Sequence, residues 1–84
     1  MQLNTRAERL SELLRSELEA RRVAAGLSKS ELAAKAGLAV SFVSYLESGK
    51  RRPTVESLAK LAWVLGTTPS KILGTCESRL ETDS

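Results

Sequence analysis

The chain has 84 residues, 13 Lys and Arg against 10 Asp and Glu, no histidine and one cysteine, for a formal charge of +3. A single cysteine excludes an internal disulfide and a cysteine-based zinc site, and without histidine no conventional zinc constellation is left. No stretch approaches the roughly 20 apolar residues needed to span a bilayer, and the charged amino terminus does not read as a signal peptide, so a reducing, cytoplasmic setting is expected.

From about Arg6 to Ala25, Leu10, Leu14 and Leu18 recur every four residues with no Gly or Pro between them, which predicts one helix of about 20 residues, about 30 Å long. A second helix opens at Ser28, where Glu31 three residues on completes a capping box, and its apolar face is Leu32, Ala33 and Ala36. Gly37 suits the left-handed conformation of a helix end, and the chain turns within about two residues into a third helix that ends near Gly49. Thr54 to Leu65 reads as a fourth helix with Val55, Leu58, Leu61, Ala62 and Leu65 inward, stopped by Gly66. Thr68-Pro69 starts a short fifth helix carrying Ile72 and Leu73, since Pro suits a first helical position. Strand signals are absent. From Gly74 to Ser84 the sequence is small, polar and acidic and reads as a flexible tail; its one Arg and three acids leave residues 1–73 at +5.

The third helix carries the functional signal. Val43 and Leu46 are its core residues, while Ser41, Ser44, Tyr45 and Ser48 share the opposite face with Val40 at its leading edge. Such short donors, acceptors and methyl groups suit a helix inserted in a major groove. Lys50-Arg51-Arg52 follows directly, three cations where a helix dipole alone would need fewer, and Lys29 adds a cation at the first turn of the preceding helix. These four side chains are the candidate phosphate contacts. Catalysis is not expected: Glu17 and Glu19 point to different helix faces, Glu77 and Glu81 lie in or beside the tail, and no serine has a neighbouring base.

Arg22 four residues before Gly26, Gly26-Leu27-Ser28, Glu31-Leu32-Ala33, Gly37, Leu46-Glu47-Ser48-Gly49-Lys50, Pro53 and Leu61 through Gly66 together resemble the helix-turn-helix domain of the Cro and phage-repressor (XRE-like) family. The resemblance runs from about residue 14 to 73 and implies an all-α, five-helix, lambda-repressor-like DNA-binding domain. Here its first helix is lengthened by residues 1–13. It further implies an ion pair between Arg22 and Glu47, and base-reading roles for Val40, Ser41 and Tyr45 with Ser44 adjacent. Two positions depart from the pattern: Lys29 replaces the usual glutamine, and Ala39 stands where Ser or Thr usually caps the reading helix. None of the reading residues offers a bidentate Gln, Asn or Arg, so specificity is expected to lean partly on DNA shape.

Trp63 occupies a usually polar position of the fourth helix. Either the long first helix folds back over it, or it marks a subunit interface completed by Ile72, Leu73 and leucines of the first helix. The expected function is thus a dimeric, sequence-specific regulator, a repressor or autoregulator binding a double-stranded operator without a cofactor. The competing reading is a protein-interaction module, such as an antitoxin that grasps a toxin as well as DNA.

Overall fold

The structure is a computed structural model describing residues 2–83; Met1 and Ser84, the outer ends of the expected extension and tail, lie outside the described residues. Five helices follow in order: α1 (Leu3–Ala24), α2 (Lys29–Ala36), α3 (Val40–Ser48), α4 (Val55–Val64) and α5 (Pro69–Asp83). No strand occurs among the described residues. α1 runs nearly the length of the molecule, whose longest dimension is 38 Å. It packs along α5 and touches α3, while α2 packs on α3 and α4.

Local chemistry explains the breaks. Ser28 Oγ accepts from the Glu31 amide at 3.0 Å and the Glu31 carboxylate accepts from the Ser28 amide at 2.9 Å, so two amides that α2 would leave open are satisfied. Thr54 and Ser57 form a second reciprocal box at the start of α4, with serine in place of the usual Glu or Gln at the third helical position. Gly37 ends α2 at φ 69°, where an L side chain would be strained, and the Leu38 amide closes back on the Ala33 carbonyl at 2.9 Å.

The core joins Leu13 and Leu18 of α1, Leu32, Ala33 and Ala36 of α2, Val43 and Leu46 of α3, Leu58, Leu61 and Ala62 of α4, and Ile72, Cys76 and Leu80 of α5. Three expectations are corrected here: Val55, expected to face inward on α4, stands exposed at its start, because the first turn of α4 has no packed neighbour on that side. The segment from Gly74 onward continues α5 to Asp83 instead of forming a flexible tail. Ile72, Cys76 and Leu80 recur every four residues, and the lengthened α1 gives that stripe a surface to bury against. Ile72 is also not available to a partner chain, because it is fully buried within this one.

Polar contacts flank the same seam: Arg21 Nε meets Glu17 Oε2 at 2.7 Å, Arg79 Nη1 lies 3.6 Å from Glu17 Oε1, and Arg21 Nη2 reaches Thr75 Oγ1 at 3.5 Å. Cys76 is fully buried among them, and burial, followed by the Glu17 carboxylate, pushes its thiol pKa up. The fifth helix therefore closes the domain core.

Candidate nucleic-acid interface

α3 is seated by one face and open on the other. Val43 and Leu46 are buried, whereas Val40, Ser41 and Tyr45 are exposed and Ser44 is half-buried. Helical spacing brings these four onto one outward surface. The amino end of the helix receives no side-chain cap from Ala39. Such an end leaves backbone N–H groups free to meet an anion.

The carboxyl end is held from two points on α1. Arg22 Nε donates to Glu47 Oε2 at 2.7 Å and Nη2 donates to Glu47 Oε1 at 2.9 Å, while Nη1 donates to the Leu27 carbonyl at 2.8 Å. The Glu47 side chain is 3% exposed and that of Arg22 12%, so the pair works in a low-dielectric setting. The Glu47 hydrogen bond is the main cause that raises the Arg22 pKa. Seven residues earlier on the same face of α1, Arg15 Nη1 donates to the Ser48 carbonyl at 3.1 Å and lies over Gly49. Gly49 sits at φ 85°, and a Cβ placed there would stand 2.5 Å from Arg15 Nη1. Glycine suits the left-handed turn, and a Cβ here would displace the Arg15 guanidinium from the Ser48 carbonyl. The Arg15 contact was not anticipated from sequence; the seven-residue spacing from Arg22 was its only signal.

The basic loop leaves α3 through this turn. The Lys50 and Arg51 amides both donate to the Tyr45 carbonyl, at 2.9 and 3.2 Å, so the loop backbone is tied to the last turn of the helix. Lys50, Arg51 and Arg52 are exposed, and Lys50 Nζ sits 5.7 Å from the centroid of the Tyr45 ring. That cation–π contact ties the basic loop to the outward face of α3. Lys29 is exposed at the first position of α2. Of the proposed interface residues on α4 and α5, Trp63 is 65% exposed and therefore not covered by α1, and Leu73 is half-buried.

The family model described as Helix-turn-helix matches residues 18–72, well over half of the chain. The chain belongs to the Cro/C1-type helix-turn-helix family. Among solved structures, this helix-turn-helix protein is similar to the clp gene regulator ClgR from Corynebacterium glutamicum. The two share 26% sequence identity with a TM-score of 0.78 over 88% of this chain and 79% of that one. No curated protein matches it. Family and fold together make the helix-turn-helix protein a DNA-binding transcription regulator. Among the described residues no group of side chains could hold a metal ion, and no described helix is long and apolar enough to cross a membrane.

Proposed function

We propose that the protein is a dimeric repressor or autoregulator that reads a two-fold operator by laying α3 in the major groove. The observation that carries this reading is the outward surface of Val40, Ser41, Ser44 and Tyr45 beside the exposed Lys50, Arg51 and Arg52. In it Val40 packs on a thymine methyl, Ser41 and Ser44 hydrogen-bond base edges, and the loop cations with Lys29 neutralise phosphates. The Arg22–Glu47 pair and the Arg15 contact fix the angle at which that surface is presented.

Dimerisation is supported by Val55, Ala59 and Trp63, which recur every four residues along α4; Val55 is 84% and Trp63 65% exposed. A second copy on that stripe would set two reading helices about 34–36 Å apart, one turn of DNA. Selection of bound sites from a random DNA pool tests the whole reading. A palindromic motif is expected, with Ser41→Gln redirecting one base per half-site. Identical motifs for both proteins would place base recognition elsewhere, and an asymmetric single half-site would remove the dimer. Co-purification of a different protein held by the lengthened first helix, with operator binding unaffected, would support the competing antitoxin-like reading.

A further inference from the structure

A groove of about 250 Å³ lies between the amino-terminal half of α1 and the loop after α3. Its floor is apolar, made by Leu14, Leu18, Leu46 and Pro53. Glu8 and Glu12, one helical turn apart on α1, line it together with Arg51 and Arg52 of the basic loop. Among the described residues no ion pair joins these carboxylates to these guanidinium groups. Glu12 instead meets Arg9 at a loose 3.5 Å, and Arg15, also on the wall, is engaged at Ser48. Glu8, Ser11 and Glu12 of this wall lie in the lengthened part of α1, ahead of the family match at 18–72, whereas the loop wall and most of the floor lie within it.

We infer that this groove binds a small zwitterion with an apolar body, of the size of a hydrophobic amino acid or dipeptide. Its ammonium faces Glu8 and Glu12, its carboxylate faces Arg51 and Arg52, and its apolar body lies on the leucine floor. Carboxylates and guanidinium groups that line one groove without pairing with each other stay open to a ligand, and a dipolar ion of matching length satisfies both at once. The volume falls just below the roughly 300–1,000 Å³ of sites for drug-sized ligands, so the occupant is small and its affinity modest. Because the carboxylate would occupy the two arginines assigned to phosphate, ligand and DNA exclude each other, and by linkage each weakens the other's binding equally. That coupling rests on the phosphate reading of Arg51 and Arg52; the binding itself does not.

The test is titration of the free protein with leucyl-leucine, read by calorimetry and by methyl NMR shifts of Leu14, Leu18 and Leu46. Saturable binding is expected, weakened about tenfold or more when the amine is acetylated or the carboxylate amidated. A double Glu8→Gln, Glu12→Gln variant should lose discrimination against the acetylated peptide, and a double Arg51→Gln, Arg52→Gln variant should lose it against the amide. Circular dichroism checks that both variants keep their helix content. Absence of saturable shifts at these leucines, or equal binding of all three peptides, overturns the proposal. Charge-selective binding that leaves DNA affinity unchanged establishes the site and overturns the phosphate role of the two arginines instead.

Discussion

Arg22 and Glu47 are joined by two hydrogen bonds of 2.7 and 2.9 Å, and the third arm of the guanidinium holds the Leu27 carbonyl, so one side chain binds α1 to the end of α3 and to the turn before α2. Removing one partner strands the other charge in the interior. Arg22→Ala or Glu47→Ala should each cost about 3–5 kcal/mol. Replacing both by apolar residues of similar volume should cost less than either single change. Urea unfolding of the three variants checks this, and additive losses would show that the two residues act independently.

The carboxyl half of α5 should matter for stability. Leu80 is 5% exposed against α1, and Leu80→Ala should cost about 2–5 kcal/mol, enough to lower the melting temperature by many degrees in a domain this small. If residues 74–83 contributed nothing to the core, calorimetry would find no change.

Arg51 is expected to contact phosphate and not bases. Arg51→Ala should then weaken binding to operator and random DNA alike and make the salt dependence shallower by about one contact. The slope of log affinity against log salt for both DNAs is the measurement; a loss confined to the operator would make Arg51 a base reader.

Trp63→Lys should shift sedimentation from dimer to monomer and reduce operator affinity while helix content persists, since the indole is exposed and its loss leaves the core intact. A variant that remains dimeric with full affinity would take α4 out of the interface.

Glu31 links stability to pH. The hydrogen bond from the Ser28 amide, followed by that from the Ser28 hydroxyl, holds its carboxyl below the ordinary value. A lowered folded-state value means that the ionised carboxylate stabilises the domain above its ordinary pKa and that this contribution fades as pH falls through the lowered one. Thermal unfolding followed into the acid range should show Glu31→Gln losing less stability than the native chain; parallel curves would show that the box is insensitive to protonation.

The sequence by itself determined the elements whose causes are local. The Ser28–Glu31 box, the left-handed Gly37 and Gly49, and the four-residue leucine period each act within one or two helical turns. These set the course of α1, α2 and α3 and placed the small, uncharged face of α3 beside the basic loop, because spacing of 3.6 residues per turn assigns faces without reference to neighbours. Only the tertiary structure decided the fate of residues 74–83. Their composition is polar, and their two buried anchors, Cys76 and Leu80, gain helical stability from burial against α1, which propensity does not register. The same burial moved Ile72 from a surface to the core and left Trp63 outside it. The Arg15 grip on Ser48 and the groove between Glu8, Glu12 and the loop arginines join residues more than 30 positions apart. Such juxtapositions depend on how α1 lies across α3, and no short-range pattern encodes a crossing of two helices.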